Sequence, residues 1–444
     1  MRKMPLSRGV LIFWLLLAAG VLGFWLVSQP DEPWALPLAL IVVGASFAAL
    51  IPRLRPVFSA PLRGLRARPA LYWLLLLLYL TLALAAWIVP YQPTNGRLLK
   101  PVEYQYLLAA LWLLVYLLAY DLDRPQARAM GAGLSRSRWS GVLITLTTVW
   151  VLFFGAEFWM RVFYITTDAY GFTAMNYHWY KNFYWGRYNS LGYRDYEPIP
   201  DAAVRIAVLG DSFAMGHGIN DLNDTFPQML ERDLGAGYDV NVIAHSGWDS
   251  DVELHYLQTY PLKPDILILS YYLNDIDHLL TDPSQNPDAA FDFPQDPTLY
   301  WFVLNFFVPN FTYYNLMQFT SPVRATNFTD RLIGAHLDDD LWARQAWWLN
   351  EIVTWTQAED MRLVVLLWPH LGAVEASTPA TVRVRDFFRE RDVPVVDMTD
   401  ALRDQDPRQM VVNRFDSHPG VAAQRLAADQ LYRAIRALEA AGSS

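Results

Sequence analysis

Four short blocks in this chain of 444 residues carry residue types that can do chemistry together. Gly210-Asp211-Ser212-Phe213 follows the apolar run 206–209, and His245-Ser246-Gly247 follows the run 240–244. Leu273-Asn274-Asp275 comes after the run 266–270, and Asp416-Ser417-His418-Pro419 precedes the last amphipathic stretch. A serine hydroxyl is a poor nucleophile unless a base lies within hydrogen-bond reach and a third group orients that base. His418 can take the Ser212 proton and return it to a leaving group, and Asp416 can hold the ring and stabilise its cation. A tetrahedral intermediate also needs donors for its oxyanion. The Ser212 N–H, the Gly247 N–H and the Asn274 side-chain amide can supply three. Asp211 is read as a cap of its turn, and Asp275 as a support of the Asn274 loop.

These blocks need a scaffold that brings them to one edge. Continuous apolar runs at 206–209, 240–244, 266–270, 363–368 and 393–396 read as buried strands. Between them, 226–234, 252–260, 342–355, 382–389 and 421–438 read as helices, with Ala427, Leu431, Ile435 and Leu438 on one face of the last. Apolar strands alternating with helices imply a parallel sheet covered on both sides. The expectation is an α/β fold with a doubly wound, flavodoxin-like sheet, and ligands on such sheets bind at the carboxyl ends of the strands. Ser212 is expected at the start of the following helix, where N–H groups and the dipole favour negative charge. An aromatic-rich insertion at 276–340 breaks the rhythm. Insertions of that length serve as lids or as helical flaps packed on the core.

With these residues in place, the chain resembles the SGNH (GDSL-type) hydrolase superfamily over about residues 190–440. That superfamily is named for a Ser in a Gly-Asp-Ser block, a Gly, an Asn and a His in that order, matched here by Ser212, Gly247, Asn274 and His418. The segment Asn189-Ser190-Leu191-Gly192-Tyr193-Arg194-Asp195 resembles the lead-in found in many members. The resemblance implies acyl-ester hydrolysis or acyl transfer with no metal and no organic cofactor. One departure stands out: the family places Asp three residues before the His, and here that position is Phe415. The orienting acid is then Asp416, or Asn413 or Asp400, or the site is a Ser–His dyad. His217, His245 and His370 lack metal-ligand spacing, and His370, after Trp368-Pro369, falls where it can line the pocket.

The first third of the chain is of another kind. Apolar stretches at 10–28, 34–52, 70–89, 104–120 and 141–160 each approach the ~20 residues that cross a bilayer. The expectation is a transmembrane helical region of about five helices over 1–160, an aromatic-rich juxtamembrane segment over 161–200 and a hydrolase-like domain over 201–444. Arg2, Lys3 and Arg8 precede the first stretch, and Arg53, Arg55, Arg63, Arg66 and Arg68 follow the second. This alternation makes the N-terminus cytoplasmic and the domain after five crossings extracytoplasmic. No ionisable residue sits mid-span, which disfavours transport. The segment from Phe163 to Trp185 lies at the membrane interface or packs under the soluble domain.

Charge divides at the same place. Residues 1–160 hold 14 Lys and Arg against 6 Asp and Glu, and residues 161–444 hold 21 against 38. So acidic a domain excludes nucleic acid as a partner. The chain has no cysteine, which excludes disulfides and thiolate chemistry. Asn223, Asn310 and Asn327 fit glycosylation acceptors. Three functions share these residues. The first is a membrane-anchored serine esterase acting on acyl esters of surface glycans or lipids. The second is an O-acyltransferase with the same triad, needing a membrane partner that delivers acyl groups. The third is a non-catalytic scaffold or glycan-binding subunit.

Overall fold

The computed structural model describes residues 164–442 apart from 170, 187, 281–293 and 321, together with 153, 156, 159 and 160. Residues from Ile165 onward form a compact unit of their own. The apolar stretches expected to cross a membrane lie outside the described residues, save four positions of the last. Among the described residues, no helix is long and apolar enough to cross a membrane.

Five strands form one parallel sheet: β1 (Val204–Gly210), β2 (Tyr238–Ala244), β3 (Ile266–Tyr272), β4 (Arg362–Trp368) and β5 (Val395–Asp397), in the order β2-β1-β3-β4-β5. This is the flavodoxin-like order, with its topological switch beside β1. The apolar runs form strands because both faces are covered: Val208, Ile268 and Val364 on one face and Leu209, Leu269 and Val365 on the other are all fully buried. Burial of each such side chain contributes about 1.5–3 kcal/mol. Register places Gly210 opposite both Ala244 and Ser270. The loops after β1 and β2 therefore leave the sheet at one level, and β3 runs on two residues to Tyr272 before its loop.

The helices in chain order are α1 (Ala174–Trp179), α2 (Ser212–Met215), α3 (Phe226–Leu234), α4 (Ser250–Thr259), α5 (Pro297–Asn305), α6 (Phe307–Thr320), α7 (Pro322–Leu337), α8 (Asp339–Ala358), α9 (Val374–Arg389), α10 (Met398–Arg403), α11 (Pro407–Met410) and α12 (Val421–Gly442). α12 packs on α3, and α8 packs on α4. On α12 the buried residues Ala423, Ala427, Leu431 and Ile435 recur every fourth position, which keeps them on one face of a helix. The Gln424 side chain accepts the Phe226 N–H at 2.8 Å and so serves an otherwise orphan donor at the start of α3.

The structure sharpens four of these expectations. The helix after Ser212 is a single turn that ends at Gly216 in the left-handed region; a stretch this short has little macrodipole. The described part of the insertion is largely helical, and among the described residues it reaches the site cavity through Asp277, His278 and Leu280 and not through α5, α6 or α7. α7 instead packs on residues 273–279 and on α9, and its His336 accepts from the Tyr271 hydroxyl at 2.9 Å. In the aromatic stretch, Trp179 and Tyr184 are buried in the main core, while Trp185 and Tyr188 are exposed. Among the expected glycosylation acceptors, Asn310 is buried and accepts the Ala174 N–H. A small antiparallel hairpin, β6 (Val411–Asn413) and β7 (Asp416–Pro419), stands apart from the main sheet and carries the last chemical block.

Candidate active site

β1 delivers Ser212 one residue beyond its Gly210-Asp211 end. A Cβ on Gly210 would meet Ala214 Cβ at 2.9 Å and the Ser270 carbonyl oxygen at 3.0 Å. Only glycine lets the turn lie this close to β3. Asp211 caps the turn by accepting the Phe213 N–H at 2.8 Å. The turn is clamped from outside by Arg194, which is 2% exposed. Its guanidinium donates to the Phe183, Met215, Gly216 and Ile219 carbonyls at 2.7, 3.0, 3.2 and 2.6 Å. The lead-in motif named Arg194 by resemblance, and the structure supplies what the side chain does.

His418 Nε2 lies 2.8 Å from Ser212 Oγ, and His418 Nδ1 lies 2.5 Å from Asp416 Oδ1. Asp416 also accepts the His418 backbone N–H at 3.1 Å and a hydrogen bond from Thr167 Oγ1. The acid two residues before the His thus reaches its ring. The other candidates are otherwise occupied: Asn413 donates to Thr166 and Thr167, and Asp400 pairs with Arg403. Gly247 and Asn274 line the same cavity, of about 950 Å³, as Ser212 and His418. Gly247 has φ +77°, a conformation that costs side-chain-bearing residues energy. The Asn274 side chain lies near the Asp211 carboxylate and favours its charged form.

The electrostatics follow from burial and pairing. Burial alone would raise the Asp416 pKa, but the charge and hydrogen bond of His418, with His217 beside it, outweigh it and hold the carboxyl well below its usual range. Burial alone would depress His418, but the Asp416 charge and hydrogen bond hold it above the usual imidazole value. Burial pushes Asp211 up against the N–H of Phe213 and the His418 charge. His370 lines the cavity, accepts or donates at Nδ1 with Tyr272 at 2.8 Å, and is pushed down to about 4 by burial.

Sequence spacing shows no metal signature, yet the fold gathers two trios of donor atoms within 4.8 Å of one another among the described residues. In His217, Asp416 and His418, both His418 nitrogens already face Ser212 and Asp416. The other is Asp249, Asp251 and His278, half-buried at the rim of the cavity. His217 is the residue that sequence reading set aside. It is buried, and Nε2 lies 3.4 Å from Asp416 Oδ2. A residue five places after the nucleophile carries no pattern that marks it. Only the turn at Gly216 brings it back.

No curated protein sequence matches this chain. Among solved structures it is similar to TesA, at 14% identity and TM-score 0.34, over 53% of this chain and 99% of that one. A carbohydrate acetylesterase family member from Sinorhizobium meliloti aligns at 14% identity and TM-score 0.31, over 52% and 97%. A lipase/acylhydrolase from Enterococcus faecalis aligns at 13% and 0.32, over 53% and 96%. Similarity at this level says nothing about substrate. Residues 208–426 match the model of the GDSL-like Lipase/Acylhydrolase family, and that span holds all four chemical blocks. The chain therefore carries an ester-hydrolase domain of the GDSL-like lipase/acylhydrolase family.

Proposed function

We propose that this domain is a serine esterase that removes O-acyl groups from surface glycans or lipids, on the outer face of a membrane to which the N-terminal region tethers it. The observation that carries the chemistry is the chain of contacts from Ser212 Oγ through His418 to Asp416. His418 removes the Ser212 proton as Oγ attacks the acyl carbonyl carbon. The developing oxyanion is met by the Ser212 and Gly247 N–H groups and by the Asn274 amide, whose NH₂ has two donors. His418, now charged and held by Asp416, returns its proton to the leaving alkoxide. Water then repeats the cycle on the acyl-enzyme. The tether rests on the five apolar stretches and the alternation of basic loops.

The test is release of nitrophenol from p-nitrophenyl acetate by the full chain in detergent, with Ser212→Ala in parallel. Turnover that disappears in the variant is the expected result. A folded wild-type protein that neither turns over the ester nor reacts with a fluorophosphonate at Ser212 would falsify the assignment. Oligosaccharide added to the assay distinguishes water from a sugar hydroxyl as the acceptor, because a transferase makes acylated sugar at the expense of acetate. Protease protection of 165–442 in closed vesicles tests the orientation.

A further inference from the structure

Asp416 is a fully buried carboxylate, and such a group is tolerable only when its lone pairs are met by donors. It can accept at about four sites. Oδ1 takes the His418 backbone N–H and the His418 Nδ1–H. Oδ2 takes the Thr167 hydroxyl. The remaining neighbour of Oδ2 is His217 Nε2, at 3.4 Å, and that nitrogen is itself buried with no shorter contact. Catalytic hydrogen bonds are often long before substrate binds. The two imidazoles lie close, with ring centroids 4.3 Å apart.

The other side of His217 has a direction. Tyr180 OH lies 3.3 Å from His217 Nδ1, and Tyr180 is mostly buried beside it. A carboxylate accepts and cannot donate, so the proton of a neutral His217 facing Asp416 sits on Nε2. Nδ1 is then an acceptor and takes the Tyr180 O–H. The donors thus point one way, from Tyr180 to His217 and from His217 towards Asp416. Tyr180 and His217 line the cavity together with Ser246 and Gly247. Tyr180 opens a single π-helical turn, Tyr180–Tyr184, a local irregularity of a kind that recurs at functional sites. These contacts join the turn at Tyr180 to the hairpin that carries the acid and base, two segments far apart in sequence.

His217 is also tied to the nucleophile's own turn. Its backbone N–H donates to the Ser212 carbonyl at 2.9 Å. Two full charges so close would repel His418 as it becomes an imidazolium, so the arrangement works with His217 neutral. Burial and the His418 charge both depress the His217 pKa, against the pull of Asp416 and Asp168. Those groups, with Tyr180, are the titratable side chains that face it. Asp168 is occupied by the Phe172 and Thr173 N–H groups and the Thr173 hydroxyl.

We infer that His217 is a positioning residue of the acyl-transfer site, a neutral imidazole oriented by the Tyr180 hydroxyl that holds the second oxygen of Asp416. This rests on the serine-esterase reading. It acts through Asp416 and His418 and does not touch the substrate.

The experiment measures kcat/KM for p-nitrophenyl acetate and the rate of fluorophosphonate labelling at Ser212, across about pH 5 to 9. The proteins are the full chain and its His217→Leu, His217→Gln, Tyr180→Phe and Ser212→Ala variants. His217→Leu is expected to lower both rates by about 10–100-fold, mainly in kcat, the equivalent of one hydrogen bond to a charged group. Its acid limb moves to higher pH, because Asp416 with one donor fewer is more basic and holds the His418 proton longer. His217→Gln, which offers an amide N–H to the same oxygen, recovers most of the lost rate. Tyr180→Phe falls by about 3–10-fold in the same direction. A His217→Leu protein with the wild-type rate and limb overturns the proposal, and so does a Gln variant no better than Leu. If His217→Leu does not fold, a Tyr180→Phe protein with unchanged rate and limb overturns it instead. A wild-type protein that does not label at Ser212 removes the esterase reading, and the role of His217 goes with it. Labelling that is equal in wild type and His217→Leu removes only the latter.

Discussion

The two halves of the site are held in different ways. Ser212 directly follows the end of a central strand flanked by two neighbours, and the main-chain ladder, Gly210 and the Arg194 clamp determine where it points. His418 and Asp416 stand on a hairpin outside that sheet. The hairpin is fastened by contacts from distant segments: Ala169 N–H to the Phe415 carbonyl at 3.1 Å, Tyr314 hydroxyl to the same carbonyl at 3.3 Å, and Asn413 to the Thr167 carbonyl at 3.1 Å. Phe415 itself packs edge-on against Phe311 and Tyr314 of α6. The insertion thus contributes to catalysis by bracing the acid–base hairpin. A nucleophile built into a sheet and a base built onto a bracket should respond differently to damage.

The largest effects should not distinguish the halves, because the chemistry needs both. Ser212→Ala and His418→Ala are each expected to cut ester turnover by about 10⁴-fold or more, with thermal unfolding near that of wild type. A variant of either kind that kept a tenth of the activity would break the triad assignment. Asn274→Ala comes next, at about 10²–10³-fold in kcat, the usual cost of losing one oxyanion donor. A change confined to KM would move Asn274 from the oxyanion to substrate binding.

Smaller effects sharpen the contrast. Arg194→Ala leaves four carbonyls of the nucleophile's surroundings without their donor, and each buried orphan costs about 1–3 kcal/mol. It is expected to lower unfolding stability by about 3 kcal/mol or more, as read by denaturant melts. Phe415→Ala instead loosens the bracket. The expectation is a rate about 10-fold lower, the equivalent of ~1.4 kcal/mol in the barrier, with a smaller loss of stability than Arg194→Ala. If Phe415→Ala destabilised the domain as strongly as Arg194→Ala and left the rate alone, the hairpin would be part of the core and the distinction would fail.

The same contrast explains what could be read in advance. Four of the five strands are buried on both faces along most of their length, and the runs 206–209, 240–244, 266–270 and 363–368 all fall inside them. Site blocks at strand ends inherit that legibility, since the register of a parallel sheet brings Gly210, Ala244 and Ser270 level. The hairpin has only three and four residues per strand, too few for a periodic signal. Asp416 could be named but not placed, because reach across two residues depends on the bend at β7. His217, Thr167 and Tyr180 were out of sight for a related reason. Their partners lie tens to hundreds of residues away, and nothing local distinguishes a buried His on a network from one in a core.

The mildest test uses pH, and it bears on the hairpin alone. His418 binds its proton more tightly in the folded protein than in the unfolded chain. Its contribution to stability is therefore complete below the unfolded imidazole value and fades as pH rises through the higher folded value. Asp416 runs the other way, since its folded value is depressed: its contribution is present at neutral pH and is lost as pH falls through that value. Catalysis needs His418 unprotonated, so kcat/KM should rise with an acid limb above the usual imidazole range. Activity should thus grow over the same interval in which the His418–Asp416 pair gives up stability. In His418→Ala the decline in stability across that interval should flatten, while Ser212→Ala should keep it, because Ser212 does not titrate. A limb at or below the ordinary imidazole value would mean that Asp416 does not hold the charged ring in solution, and the bracket would then position His418 by packing alone.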